Sequence, residues 1–199
     1  MDRPEIWNHN AAYYPWVRRQ LRGGRHILDV GCGEGSLVRF LAEPGRSVLG
    51  LDPDPGCIGR ARSRACPAGV GFTEGTLEDF SAPAGSLDGV VFSASLHHME
   101  PEPALRKASA LLREGGILLV VGLAKPSGLG DLLLEGLRVL PSAAVTRLHS
   151  ARSPETLGVP VSYALPPMPE VRALTRRLLP GAALRPALHY RYLLRWTKK

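Results

Sequence analysis

Short apolar runs alternate with segments of helical pattern along this sequence, and no other feature limits the fold more. Glycine and proline separate the segments. The segments between the runs carry apolar residues at helical spacing, as Leu37, Val38 and Leu41 do. Strands joined by helices must run parallel, because each crossover returns the chain to the same end of the sheet. The pattern predicts an α/β fold with an open, doubly wound, mostly parallel sheet.

The end of the sequence adds two strands of another kind. No helix-length segment separates the run 182–188 from Tyr190–Trp196, in which apolar and charged residues alternate. We predict that these runs form a C-terminal antiparallel hairpin at the sheet edge, which brings the sheet to seven strands. The other predicted strands are His26–Val30, Ser47–Leu51, Val70–Thr73, Leu87–Ser93 and Gly116–Gly122, and the predicted helices follow Gly35 and cover 56–64, 102–113, 131–140 and 170–179.

Composition excludes several classes of protein. The 199 residues are 44% hydrophobic and 22% charged, which are ordinary values for one globular domain. The apolar stretches are shorter than the roughly 18 to 20 residues that a membrane span needs. The first residues carry Asp2 and Glu5 and no apolar signal region, so we expect a cytoplasmic protein. The three cysteines form no C-x-x-C pair, and no cluster of side chains calls for a metal.

The net charge of +7 would suit a nucleic-acid partner. However, 21 of the 25 basic residues are arginines, in a sequence that is also rich in alanine, glycine, proline and leucine. Such a composition scatters arginines over the whole surface. We therefore do not expect nucleic acid as the partner, and the oligomeric state stays open.

A glycine-rich turn follows the first predicted strand, in the sequence LDVGCGEG of residues 28–35. Its G-x-G-x-G spacing is one residue shorter than that of dinucleotide-binding folds, and Asp29 lies inside the strand. A carboxylate beside the turn would repel a pyrophosphate but could receive an ammonium group. Asp52 ends the second strand, where it can accept hydrogen bonds from both hydroxyls of a ribose. These residues indicate a ligand with a ribose and a cationic amino group, although the turn alone could be a tight connection.

The sequence resembles the class I S-adenosylmethionine-dependent methyltransferases at five motifs in the family's order. The motifs are 28–35, Gly50-Leu51-Asp52, LDGVV of 87–91, LHHM of 96–99 and LLREGG of 111–116. The resemblance implies that S-adenosylmethionine is the cofactor and S-adenosylhomocysteine its product. It also implies one domain over 1–199, divided into an N-terminal aromatic segment (1–22), a cofactor-binding core (23–124), a substrate-side insertion (125–168) and the closing helix and hairpin (169–199).

The same resemblance assigns cofactor contacts. Asp29 and the turn residues Gly31, Cys32, Gly33 and Gly35 would hold the methionine moiety. Asp52 would bind the ribose, and Pro53 would lie against the adenine. The loop after the third strand departs from the family, because Gly75 is followed by Thr76 where an acid is common. We expect Thr76, the backbone of Leu77 and Ser93 to complete the set, while Glu78 or Asp79 could supply the missing acid or be solvated.

Two histidines follow the fourth strand, at the edge where the reactive methyl group would lie. His98 is the candidate base, and His97 is assigned to packing or to a structural hydrogen bond. Transfer by proximity alone, without a base, is the alternative. Tyr13 and Tyr14, in an aromatic segment that also holds Trp7 and Trp16, are candidates for a lid over the site, or else for a packing strap.

We expect a methyltransferase that acts on a small molecule at O, N or C by direct displacement. Three alternatives stay open from the sequence: a nicotinamide-dependent oxidoreductase, an RNA-directed methyltransferase and a non-catalytic cofactor-binding protein. The first has the wrong glycine spacing. The second lacks the Asn-Pro-Pro-Tyr type of motif after the fourth strand, where Ser93-Ala94-Ser95-Leu96 stands instead.

Overall fold

A computed structural model of the protein describes residues 9–125, 165–188 and 190–199. Seven strands within these residues form one sheet, in the order β3-β2-β1-β4-β5-β7-β6. The strands are β1 (His26–Val30), β2 (Ser47–Asp52), β3 (Val70–Glu74), β4 (Leu87–Ser93), β5 (Leu112–Leu123), β6 (Ala183–Ala187) and β7 (Arg191–Thr197). The α-helices among the described residues are α1 (Tyr14–Gln20), α2 (Ser36–Leu41), α3 (Pro55–Ser63), α4 (Pro101–Leu111) and α5 (Met168–Leu178).

Strands β1 to β5 run parallel to one another. Strand β7 is antiparallel to both of its neighbours, β5 and β6. Helices α2, α3 and α4 are crossovers between parallel strands, as the alternating pattern predicts. Strand order reverses between β1 and β4, so the carboxyl ends of these two strands form the crevice where such sheets bind ligands. The predicted α/β sheet with a C-terminal hairpin is confirmed.

Both faces of the sheet are covered by apolar side chains. Leu28 and Val30 of β1 belong to one core cluster, together with residues of α4 and α5. Ile27 belongs to the other cluster, with residues of α1, α2 and α3. Asp29 shares the face of Ile27, because side chains alternate along a strand. The acid is therefore carried among the apolar side chains of the second cluster.

The boundary between α4 and β5 differs from the predicted one. The predicted helix reaches residue 113, but α4 ends at Leu111 and β5 begins at Leu112. Leu112 pairs with Leu87 of β4, and an irregularity in register follows before Gly89 pairs with Ile117. Pairing with a neighbouring strand thus decides the conformation of two residues that local pattern assigns to a helix.

Some predicted elements lie outside the described residues. They are the helix over 131–140, most of the insertion 125–168, and Trp7 of the aromatic segment. Within the described ranges, no helix has the length and apolar character required to cross a membrane.

Candidate cofactor and acceptor site

The glycine-rich turn is held tightly at the carboxyl edge of the sheet. Gly31 has φ +72°, and a Cβ on it would lie 2.4 Å from Cβ of Ser95, so no other residue fits there. The N–H groups of Gly31 and Cys32 donate to the carbonyl oxygen of Leu51 at 2.7 and 3.1 Å. The turn is therefore fixed against both β2 and the segment after β4.

Asp52 connects the turn to the end of β2. Its Oδ2 accepts from the N–H of Gly33 at 2.8 Å, and its Oδ1 accepts from the N–H of Asp54 at 3.0 Å. Pro53 lies between these two acids, and Asp54 caps α3 by accepting from the N–H of Gly56 at 2.7 Å. The structure thus brings Asp52 and the turn together, as the motif spacing predicts.

Asp29 has a buried carboxylate, and one of its oxygens accepts no hydrogen bond from the described residues. The residue is 1% exposed, and among the described residues its Oδ1 has no hydrogen-bond partner. Burial raises the pKa of Asp29 to about 7, and the charge of Asp52 adds to this effect. An ammonium group brought to this oxygen would match both its charge and its free acceptor position. The site therefore fits the cationic amino group that the sequence pattern indicates.

Cys32 lies in the same turn and is half-buried. Burial, followed by the charges of Asp29 and Asp52, raises the pKa of its thiol well above the usual range, so the thiol is neutral at physiological pH. It donates to the carbonyl oxygen of Gly33 at 3.6 Å. Cys32 therefore serves as a packing side chain of the turn, and its thiol makes a local hydrogen bond.

Glu34 anchors the turn from its outer side, a role that the sequence analysis misses. Its two carboxylate oxygens pair with Arg60 Nε at 2.8 Å and Arg64 Nη2 at 2.7 Å. The carbonyl oxygen of Glu34 accepts from Arg39 Nη2 at 2.6 Å. A signal exists in the sequence, since Arg60 and Arg64 are four residues apart at the end of α3, but it does not identify their partner.

Gly35 follows Glu34 and completes the turn. It has φ +75°, and a Cβ on it would lie 2.3 Å from the ring of Phe72 in β3. Its N–H donates to the carbonyl oxygen of Cys32 at 3.0 Å. The last glycine of the motif therefore allows close packing against β3, after which α2 begins at Ser36.

The loop after β3 has its own local bonds. The hydroxyl of Thr76 donates to Asp79 Oδ2 at 2.7 Å and accepts from the Asp79 N–H at 3.1 Å. Asp79 is thus engaged by a neighbour, while Leu77 is 6% exposed and packs in the first core cluster. The N–H of Gly75 donates to the carbonyl oxygen of Asp52 at 3.0 Å, which brings this loop beside the ribose candidate.

The histidine pair lies in a short 3-10 turn, Leu96–His98, just after β4. The last residue of β4, Ser93, pairs with Val121 of β5 at the same edge. The ring centroids of His97 and His98 are 4.0 Å apart. His98 is exposed and His97 is half-buried.

The two imidazoles have different electrostatic neighbours. Burial lowers the pKa of His98, and the charge of Asp52 acts in the opposite direction. Burial lowers the pKa of His97 to about 4, with His98 and Arg191 as further causes. A lowered pKa favours the neutral form of both rings at pH 7.

The two tyrosines proposed as lid residues have different places. Tyr14 is 5% exposed and packs in the second core cluster, 5.6 Å from the ring of Phe40. This is the position of the packing strap, the alternative that the sequence leaves open. Tyr13 is half-buried, and its hydroxyl donates to the carbonyl oxygen of Leu188 at 2.8 Å. A lid role can therefore be proposed for Tyr13 but not for Tyr14.

Arg191 is a second residue that the sequence analysis misses at this edge. Asn10 Oδ1 accepts from its Nε at 3.0 Å and from its Nη2 at 2.6 Å. In the sequence Arg191 is one of the charged residues that alternate with apolar ones in the last strand. Its contact with a residue near the other end of the chain leaves no local signal.

Comparisons with known proteins agree with this geometry. The model of the methyltransferase domain family matches residues 28–120. An uncharacterised methyltransferase of Mycobacterium bovis is 32% identical over 200 residues, which cover 98% of this chain and 98% of that protein. A ubiquinone biosynthesis O-methyltransferase of Azorhizobium caulinodans is 40% identical over 106 residues, 51% of this chain and 41% of that protein.

A solved structure adds the cofactor class. The crystal structure of an S-adenosylmethionine-dependent methyltransferase from Mesorhizobium loti is 31% identical, with a TM-score of 0.51 over 57% of this chain and 54% of that one. Its fold, the ordered motifs and the full-length relative lead to one assignment. The chain belongs to the class I S-adenosylmethionine-dependent methyltransferases.

Proposed function

We propose that this enzyme transfers a methyl group from S-adenosylmethionine to a small-molecule acceptor by direct displacement. The observation that carries the cofactor assignment is the buried Oδ1 of Asp29, which has no hydrogen-bond partner among the described residues, together with the hydrogen bond between Asp52 and Gly33. Asp29 would hold the amino group of the cofactor, and Asp52 its ribose. The other proposed cofactor contacts are Gly31, Cys32, Gly33, Gly35, Pro53, Thr76, Leu77 and Ser93.

When bound, S-adenosylmethionine supplies an electrophilic methyl carbon, and its sulfur leaves with the bonding electrons as S-adenosylhomocysteine. The protein orients the acceptor in line with that carbon, and orientation supplies most of the rate. His98 accepts the proton that an O–H or N–H acceptor loses as its new bond to carbon forms. Its lowered pKa supports this role, because the neutral imidazole is then the form present at pH 7.

A small acceptor is favoured by two observations. The residues after β4 are not of the Asn-Pro-Pro-Tyr type that serves exocyclic base amines. In addition, the relative from Azorhizobium caulinodans is named for O-methylation in ubiquinone biosynthesis, which is small-molecule chemistry. We therefore place a small organic molecule, rather than RNA, against the histidine pair.

Calorimetric titration with S-adenosylmethionine, S-adenosylhomocysteine and NADH tests the cofactor assignment. We expect saturable binding of both sulfur nucleosides and no response to NADH. Asp29→Asn should weaken binding of S-adenosylmethionine, whereas Glu114→Gln, at an exposed residue near the opposite edge of the sheet, should not. Equal affinities of these two variants would count against the role of Asp29.

A further inference from the structure

The chain turns sharply where β4 ends, just before the histidine pair. Ala94 has φ +58°, a left-handed conformation that is unfavourable for a residue with a Cβ. Its N–H donates to the carbonyl oxygen of Val121 in β5 at 2.8 Å, which helps to hold it there. Such strain persists only where the surrounding contacts impose it, and it is concentrated at functional sites. The turn brings the next residue, Ser95, against the end of β1.

Ser95 makes contacts in two directions. The residue is 4% exposed, and its hydroxyl donates to the carbonyl oxygen of Val30, the last residue of β1. Its own carbonyl oxygen accepts from the backbone N–H of His98 at 3.0 Å, the bond that closes the histidine turn. Ser95 thus joins the end of β1 to the backbone of the candidate base.

The side chain of Ser95 also lies against the first glycine of the glycine-rich turn. A Cβ on Gly31 would lie 2.4 Å from Cβ of Ser95 and 3.1 Å from its Oγ. The turn has further support, because the N–H groups of Gly31 and Cys32 donate to the carbonyl oxygen of Leu51. A change at Ser95 would therefore leave these two bonds in place, while the hydroxyl bond between the histidine segment and β1 would be lost.

We propose that Ser95 is a positioning residue for the methyl transfer, which fixes the turn of His98 against the glycine-rich turn of the cofactor site. The proposal adds a residue to the reaction proposed above and rests on that function. A base must lie within hydrogen-bond reach of the proton that it accepts, so a small displacement of its backbone lowers the rate. Ser95 takes no part in the chemistry itself and acts through His98.

The variant Ser95→Ala, in the full chain without cofactor, tests this link by NMR. Hydrogen exchange of the His98 amide should become about three- to tenfold faster, because its acceptor is no longer fixed to β1. The pKa of the His98 imidazole should rise toward its ordinary value, since burial is the main cause that lowers it. Unchanged exchange and an unchanged pKa in the folded variant overturn the proposal.

Thr175→Val is the matched control. Thr175 is 5% exposed, and its hydroxyl donates to the carbonyl oxygen of Val171 at 2.7 Å within α5. This variant therefore also loses a buried bond from a hydroxyl to a carbonyl group. Both variants should lower the melting temperature, but only Ser95→Ala should change the exchange and the titration of His98. Equal changes at His98 in the two variants would reveal a general loss of stability and overturn the proposal.

Ser95→Cys covers the case in which the alanine variant does not fold. A thiol is a weaker donor than a hydroxyl, so the bond to Val30 should be weakened rather than removed. Exchange of the His98 amide should then be faster than in the original protein. Exchange at the original rate in this variant would contradict the positioning role.

Cofactor affinity separates this proposal from the proposed function. In calorimetric titration with S-adenosylhomocysteine, Ser95→Ala and the original protein should agree within about threefold, because the bonds of Gly31 and Cys32 to Leu51 remain. A loss of about tenfold or more with His98 unchanged would assign Ser95 to the cofactor turn and overturn the proposal. If the original protein does not bind S-adenosylhomocysteine, the methyl transfer fails, while the measurements without cofactor still decide whether Ser95 fixes the histidine turn.

Discussion

The backbone N–H of Gly33 donates to Oδ2 of Asp52 at 2.8 Å, so the glycine-rich turn and the end of β2 are held in one arrangement. The carboxylate that is proposed to bind the ribose is also a structural partner of the turn that is proposed to bind the methionine moiety. Asp52 Oδ1 accepts from Asp54, the cap of α3. A substitution at Asp52 should therefore act on both halves of the cofactor site.

Asp52→Ala should weaken S-adenosylmethionine binding by about 10- to 100-fold or more, because each lost hydrogen bond to a charged group is worth about 1.5 to 3 kcal/mol. Calorimetric titration measures the change, and circular dichroism checks that the fold persists. Glu114→Gln is the control, since Glu114 is exposed and lies near the amino end of β5, away from the proposed cofactor contacts. Equal loss of affinity in the control would point to a general effect of acidic substitutions.

Asp29→Asn should stabilise the protein without cofactor at pH 8 and also weaken cofactor binding. The pKa of Asp29 is raised to about 7 in the folded protein, so its contribution to stability is fully present below about pH 4 and is lost as the pH rises through 7. Asparagine removes this loss, and we expect a gain on the order of 4 kcal/mol in the free energy of unfolding at pH 8.

Urea denaturation between pH 5 and pH 8 measures that gain. The difference between Asp29→Asn and the original protein should grow with pH and level off above pH 7. Glu114→Gln should show no such trend, because Glu114 is exposed. A constant difference across this range would mean that Asp29 does not titrate there.

Glu34→Gln should weaken S-adenosylmethionine binding by about three- to tenfold through the loss of its ion pairs with Arg60 and Arg64. The effect is modest because both arginines are partly exposed, and such pairs contribute about 0.2 to 1 kcal/mol each. Titrations at low and high salt provide the check. The original protein should approach the affinity of the variant as salt rises, because salt screens these charges. A gap that does not narrow with salt would contradict an electrostatic cause.

His98→Asn should lower the turnover of an O–H or N–H acceptor by about 10²- to 10⁴-fold, the usual contribution of a general base. Cofactor affinity should be unchanged, and His26→Asn, at an exposed residue near the amino end of β1, should behave like the original protein. Since burial lowers the pKa of His98, activity should rise with pH and reach its plateau at a lower pH than an ordinary imidazole would give. Undiminished turnover would mean that transfer proceeds by proximity alone.

Local pattern predicts the sheet well, because buried parallel strands leave short apolar runs. The predicted bounds of β1 and β4 agree with the observed ones. The predicted α4 extends two residues too far, because Leu112 pairs with β4 and belongs to β5. Motif spacing also brings Asp52 to the turn, as observed.

The parts of the site that pattern does not reveal depend on contacts between distant residues. The ion pairs of Glu34 join the turn to α3, and the unmatched oxygen of Asp29 follows from what packs around it in three dimensions. Likewise, the sequence shows that Tyr14 belongs to an aromatic segment but does not show that its ring lies in the core.

The bond between Asn10 and Arg191 joins residues that are 181 positions apart, whereas the bond between Gly33 and Asp52 spans 19. Closing a longer loop costs more chain entropy, and contacts of high sequence separation form slowly. We therefore expect the cofactor half of the site to form early in folding and the acceptor half to form last, when β7 pairs with β5. An intermediate that lacks this final pairing would bind the nucleoside before it could select an acceptor.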